Sequence, residues 1–187
     1  LYHAGLRGTV ARSTLADANE NRDWRIYADF AAVLIAQARK LYATDSFAVD
    51  LEQTVYALDA TTIDLCLALF PWAQFRRRKS AVKLHTLIDL RGNIPCFVHV
   101  SGGKMADLTS LDYLPIEAGS FYVMDRGYTD FKRLHRFTQH SAFFIIRAKR
   151  DLDFARIAYR QVDKSTGLRS DSTIRLCGPK TSMLYPD

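Results

Sequence analysis

From Trp24 to Tyr42 the apolar side chains fall at Trp24, Tyr27, Ala31, Leu34, Ile35, Ala38 and Tyr42, mostly three or four positions apart. Steps of that size gather side chains on one face of a helix, so the pattern predicts an amphipathic helix over 24–42. Asp23 at its start and Arg39 and Lys40 near its end suit the helix dipole. Upstream, Ser13 is a candidate cap for a short helix reaching Ala18. Past Thr44, Asp45 and Ser46 the period shortens. Residues 54–58 read as a strand bounded by Asp59, and 81–90 and 94–100 as two more, joined in a hairpin through Arg91-Gly92-Asn93. Gly102-Gly103 breaks the chain, and Asp107 opens a short helix to Tyr113. Residues 121–124 are apolar on both alternating faces, the mark of a central strand covered on both sides. A helix over 129–139 and a second buried strand over 142–146 follow. From Asp151 onward the chain is polar and turn-rich, with one strand at 172–176.

A meander leading into alternating strands and helices predicts an α/β fold, a mixed sheet flanked by helices. Three stretches result: a helical N-terminal segment (1–50), a sheet core (51–150) and a polar remainder (151–187). If the strands at 54–58 and 121–124 are parallel neighbours, their carboxyl ends share one edge, where chemistry is commonly placed.

Composition narrows the field modestly. The chain has 187 residues, nearly half of them hydrophobic, which is enough for a real core. Lys and Arg exceed Asp and Glu by six, a balance that permits nucleic-acid or anionic-membrane partners without requiring them. The densest basic run is Arg76-Arg77-Arg78-Lys79, with Lys83 just beyond. Three scattered cysteines lack the spacing of a zinc knuckle or a disulfide framework, which fits reduced thiols in a cytosol. The stretch from Phe30 to Leu41 is too short and too polar to span a bilayer, and no secretory leader opens the chain. The first residue, Leu1, and the final Tyr185-Pro186-Asp187 suggest a piece of a longer protein.

Asp59 and Asp125 are each the first charged residue after an apolar strand. On adjacent strands, about 4.8 Å apart, two carboxylates would repel unless a cation lay between them. Magnesium suits such a place, being a hard ion that takes carboxylate oxygens and keeps waters. Two such ions can activate a nucleophile and steady the leaving oxygen of a phosphodiester. An aspartate after a strand is also an ordinary turn former or helix cap.

The segments Tyr56-Ala-Leu-Asp-Ala-Thr-Thr62 and Phe121-Tyr-Val-Met-Asp-Arg-Gly-Tyr128 resemble the first two catalytic motifs of DDE transposases, with the bacterial insertion-sequence-four group the nearest likeness. Supporting stretches are Phe70-Pro-Trp-Ala-Gln-Phe-Arg-Arg-Arg-Lys79, Val82-Lys-Leu-His-Thr-Leu87 and Phe143-Phe-Ile-Ile-Arg-Ala-Lys149. The likeness runs from about Ser13 onward. It implies an RNase H-like fold in which Asp59 ends the first strand and Asp125 the fourth, with residues 151–187 beginning a β-rich insertion. It also implies Mg²⁺, or Mn²⁺ in its place, as cofactor, and double-stranded DNA (transposon ends and target) as partner. A homodimer in the working complex and a bacterial cytoplasmic, nucleoid-associated setting belong to the same implication. The family's third carboxylate, a glutamate in a Tyr-Arg-Glu-Lys-like helix, has no counterpart after residue 151, and Glu52 and Glu117 do not stand in its place. This polypeptide alone is therefore expected not to transpose.

The DNA-binding candidates are Arg76, Arg77, Arg78, Lys79, Lys83, Arg126 and Lys149, each with a solvated surface or structural ion pair as its plain alternative. Trp72 and Phe75 fit stacking on bases or packing in a core. Tyr128 is expected beneath the site, and His85 as a core histidine. A truncated remnant that binds DNA without cutting, and an RNase H-like nuclease acting on RNA–DNA hybrids, are the competing functions. The chain has no nucleotide-binding loop and no nucleophile elbow.

Overall fold

The computed structural model describes residues 8–45, 51–68, 70–77 and 79–185, the side chain of Ser182 excepted. It divides into two units, Leu1–Ala43 and Thr44–Asp187.

In the first unit, α2 (Arg25–Leu41) follows the predicted hydrophobic period, and α1 (Arg12–Asn21) is the short helix expected upstream of it. Ser13 lies inside α1 rather than capping it. The residue before the helix is Ala11, which has no side-chain acceptor to offer. Asp23 does what its position suggests, since its carboxylate accepts from the Arg25 N–H (2.9 Å) and pairs with the Arg25 guanidinium (2.8 Å). The Tyr27 hydroxyl ties α2 to Asn19 of α1 (2.7 Å).

The second unit holds β1 (Val55–Leu65), β2 (Gln74–Arg76), β3 (Lys79–Asp89), β4 (Ile94–Gly102), β5 (Phe121–Met124) and β6 (Phe143–Ile146), all in one sheet. Its order is β2-β3-β1-β5-β6, with β4 also pairing β3. The strands β1, β5 and β6 run parallel, while β3 is antiparallel to β1 and to β4. The β3–β4 turn is the predicted one, with Gly92 and Asn93 at φ 79° and 55°. Asparagine tolerates that left-handed region better than most residues, which makes it a natural partner for the glycine. This mixed α/β sheet is the RNase H-like architecture expected.

One face of the sheet builds the core. Tyr56 and Leu58 of β1, Leu87 of β3, and Tyr122 and Met124 of β5 pack against Leu111 and Leu114, Tyr128, and Leu134 and Phe137 of α3 (Phe131–Gln139). The Tyr122 ring meets Tyr56 at 5.1 Å and the edge of Phe137 at 5.0 Å. Asp130, just before α3, accepts from the Arg133 N–H (2.9 Å) and so caps the helix. The short helix expected from Asp107 is a 3-10 helix, Asp107–Asp112, with Ala106 rather than Asp107 at its cap position. Arg133 holds it to α3 through two bonds to the Asp112 carboxylate (2.9 and 2.7 Å).

Two expectations change. Among the described residues, β5 is covered on one face only: Tyr122 and Met124 are buried, while Phe121 and Val123 are half-buried. The strand β6 is not buried but lies at the sheet edge, with Phe143 and Ile145 exposed. An apolar run of four residues carries no mark that separates an edge strand from a central one. Beyond Asp151 there are two strands, β7 (Phe154–Arg160) and β8 (Asp171–Leu176), paired antiparallel, and a last helix α4 (Pro179–Leu184). The register shift between Arg156 and Ala158 breaks the two-residue period of β7, which hides it from a pattern reading.

Candidate active site at the ends of two parallel strands

The parallel ladder between β1 and β5 runs Val55–Phe121, Tyr56–Tyr122, Ala57–Val123 and Leu58–Met124. The residues that follow its last pair are Asp59 and Asp125. Alternation puts both on the face opposite the buried pair Leu58 and Met124, and at the same end of the ladder. Both aspartates are exposed. Asp59 is not where β1 stops, because β1 continues to Leu65 by pairing with β3 alone, with Asp59 opposite Thr86. It is where the parallel ladder stops, since β5 ends at Met124 and the backbone turns.

Each carboxylate is oriented by its own backbone. Asp59 Oδ1 accepts from the Ala60 N–H (2.8 Å), and Asp125 Oδ1 from the Gly127 N–H (2.7 Å). The Asp125 turn is closed again by Tyr128 N–H donating to the Asp125 carbonyl (3.2 Å). A Cβ at Gly127 would stand 2.8 Å from Asp125 Oδ1, so any side chain there would displace that oxygen. With one oxygen of each side chain fixed, the other remains for a ligand. Two oriented, solvent-facing carboxylates are the donor set that a hard divalent ion takes. Among the described residues no group of three or more His, Cys, Asp or Glu is arranged to hold an ion. Glu117 lies at the opposite end of β5, where it accepts from the Tyr56 hydroxyl.

Residues 50–179 match the transposase DDE domain family. The chain belongs to that family. It is 25% identical over 174 residues to a Sinorhizobium fredii protein described as transposase y4zB, covering 91% of this chain and 47% of that protein. It is also 27% identical over 121 residues to a Geobacillus stearothermophilus protein described as the transposase for insertion sequence element IS5377, covering 64% of this chain and 32% of that one. The chain thus spans half or less of the length of these relatives.

The basic candidates of this DDE domain are distributed unevenly. Arg126 is exposed and directly follows Asp125, and Lys149 is exposed past the end of β6, its ammonium donating to the Thr129 carbonyl (3.4 Å). Arg76, Arg77 and Lys79 are exposed around the β2–β3 turn. The Arg76 guanidinium lies over the Phe75 ring at 5.2 Å, and Lys79 is 4.0 Å from Asp64. Arg78 lies outside the described residues. Leu65, the end of β1, pairs with Ser80, so this cluster sits six residues beyond Asp59, roughly 20 Å at strand rise. Lys83 differs from the rest. Its side chain is 15% exposed, and its ammonium donates to Asp107 (2.9 Å) and to the Met105 carbonyl (2.9 Å), which anchors the 3-10 turn. Of the two ring candidates, Trp72 is exposed and Phe75 half-buried.

His85 is buried, as expected. Its Nε2 is paired with Ser101 Oγ at 2.9 Å, and Nδ1 finds no partner among the described residues. Burial lowers its pKa, a shift that the Asp107 carboxylate opposes and the charges of His99 and Lys83 reinforce. Tyr128 is buried beneath the site, one turn after Asp125. Burial first, then the negative charges of Asp107, Asp59 and Asp125, push its phenol well above the ordinary tyrosine range. Sequence patterns gave no hint of Asp107 as a structural ion-pair partner, because the lysine that binds it lies on a strand 24 residues upstream.

Proposed function

We propose that this chain carries the first two catalytic carboxylates of a DNA transposase of the insertion-sequence-four group, acting on transposon ends and target DNA. The supporting observation is the register of β1 and β5, which makes Asp59 and Asp125 the consecutive pair after Leu58 and Met124. Asp59 and Asp125 would hold Mg²⁺, or Mn²⁺, through the oxygens not engaged by Ala60 and Gly127. When bound, such an ion supplies a polarised nucleophile and charge stabilisation for the leaving oxygen of a phosphodiester. The protein's part is to orient the two carboxylates before DNA arrives and to present positive charge along its path. Arg126 and Lys149 lie at the strand ends, and Arg76, Arg77 and Lys79 form an outlying anchor for phosphates. Lys83 serves instead by fixing the turn that begins at Asp107. Residues 151–187 are the start of a β-rich insertion in this reading, residues 1–50 a helical N-terminal segment, and residues 51–150 the first part of the catalytic core. Two copies would pair two DNA ends, at the nucleoid in the bacterial cytoplasm.

A second reading, a DNA-binding remnant without catalysis, is favoured by one observation: no three-membered carboxylate group forms among the described residues. Cleavage of duplexes bearing the element's terminal repeats by the complete gene product separates the two. Mg²⁺-dependent cutting that falls more than about a hundredfold in Asp59→Ala and in Asp125→Ala is expected, at least the cost of losing an outer-shell partner at a metal site. Binding of the same duplexes with no cutting would favour the remnant, and cutting that persists in Asp125→Ala would remove the catalytic assignment.

A further inference from the structure

The turn that leads into β2 holds a large aromatic ring out in solvent. Trp72 is 72% exposed, and its ring stands edge-on to Phe70 with centroids 6.4 Å apart. A lone exposed apolar side chain is ordinary, but the backbone that carries this one is fixed on both sides. Pro71 pre-sets the first position of the 3-10 turn Pro71–Ala73. The Phe70 carbonyl accepts from the Ala73 N–H (3.1 Å) and from the buried Ser80 hydroxyl (2.8 Å), and the Phe70 N–H donates to the Cys66 carbonyl (2.9 Å). Ala73 is buried, so the turn is anchored while the indole stays outside. A ring held in this way loses little freedom when something stacks on it.

Its surroundings are cationic. Arg76, Arg77 and Lys79 follow within seven residues, all exposed. The Arg76 guanidinium lies over the Phe75 ring at 5.2 Å, and that ring is wedged against Gly103, where an added Cβ would stand 2.9 Å from it. Lys79 meets Asp64 only at 4.0 Å, and both side chains are mostly exposed, which makes the pair weak. Positive charge therefore remains beside the indole. A second copy of the chain would bring the same charge to the patch and be repelled. Nucleic acid suits it, since cations take phosphates and an aromatic face takes a base. Paired bases show only their edges in the grooves, so the indole needs an unpaired one.

We propose that Trp72, flanked by Arg76, Arg77 and Lys79, is a stacking contact for an unpaired base of DNA that runs past the candidate site. Ser80, which anchors the turn, is the strand partner of Leu65, six residues beyond Asp59. The contact thus lies roughly 20 Å along the strand from the aspartate. The inference rests on the DNA reading above and adds to it a preference for a single-stranded stretch and the residue that reads it.

The chain has two tryptophans, so Trp24→Phe leaves Trp72 as the sole indole reporter. The probes are a blunt DNA duplex and the same duplex with an oligothymidine overhang, each titrated into this protein at low salt. The overhang is expected to bind more tightly than the blunt duplex, to quench Trp72 emission and to shield it from acrylamide. Trp72→Ala in the parent chain should weaken overhang binding about tenfold, within the range for losing one stacked base. It should leave the slope of log affinity against log salt unaltered, because no phosphate contact is lost, and leave the unfolding temperature unaltered too. Trp72→Phe should restore part of the affinity. If the parent binds DNA while Trp72→Ala binds the overhang within about twofold of it and the emission of Trp72 does not respond, the stacking role is overturned and the DNA reading stands. A fall in sedimentation coefficient in Trp72→Ala, with DNA binding intact, would overturn it in favour of a contact between copies. If the parent binds neither probe, both fall together.

Discussion

At the scale of single residues, the candidate site depends less on the acidic side chains than on the backbone that aims them. Asp125 sits where β5 ends, and the Gly127 N–H sets its Oδ1 only because nothing projects from Gly127 into the same space. A methyl group there would lie 2.8 Å from that oxygen. The carboxylate, being the tip of a flexible side chain, would yield before the turn does. Gly127→Ala is therefore expected to weaken Mn²⁺ binding about tenfold, a typical result of disturbing ligand orientation, while the unfolding temperature changes little. Unaltered binding, measured by calorimetric titration, would show that the Gly127 N–H has no part in aiming Asp125. Lys83 gives the complementary lesson. A lysine near a basic run reads as one more phosphate ligand, yet its ammonium is spent on Asp107 inside the fold.

At the scale of elements, the parallel ladder needs α3 and the Asp107–Asp112 turn as its floor. Arg133 joins the two, bonding both oxygens of Asp112 and one of Asp130 (3.2 Å). That hydrogen bond is the main reason the Asp112 carboxyl titrates below its usual value of 3.8. A depressed carboxyl pKa stabilises the folded state fully above the unfolded value and loses that contribution as pH falls through the folded one. Arg133→Ala is expected to cost about 1 kcal/mol near neutral pH, since the partners are partly exposed, or roughly 3 °C in unfolding temperature. The gap between variant and parent should narrow as the pH is taken below 3.8, where Asp112 gains its proton. Melting curves from pH 7 to pH 3 check this, and a gap that stays constant would assign the effect to the packing of the arginine stem. Elements also show where pattern reading stops. The hairpin of β3 and β4 was legible because its turn chemistry and alternation agree. The strand β7 was not, because a register shift at its centre disrupts the alternation.

Over the whole molecule, the excess of six basic residues is not smeared evenly. Arg76, Arg77 and Lys79 are exposed together beyond the far end of β1, about six residues along the strand from Asp59. Simultaneous Arg76→Ala, Arg77→Ala and Lys79→Ala is expected to weaken duplex binding for all sequences alike. The slope of log affinity against log salt should flatten by roughly 0.9 for each phosphate that the variant no longer neutralises. Fluorescence anisotropy across a salt series measures it, and an unchanged slope would make the cluster a solvated surface. Charge at this range acts without packing, which is why composition alone permitted nucleic-acid or anionic-membrane partners without choosing between them.

What is local or periodic could be read directly from the order of residues: the span of α2, the β3–β4 turn, the two apolar strands, and the acids that follow them. Those features depend on side-chain spacing and on the backbone preferences of a few residues, both written along the chain. It took the folded arrangement to establish that Asp59 stands within a strand rather than at its end, that β6 is an edge, and that Lys83 is bound internally. Folding also set Asp59 and Asp125 directly after Leu58 and Met124, the last pair of one ladder. Pairing between strands 66 residues apart is fixed by which faces can be buried together, and that is a property of the assembled core, not of any segment in it.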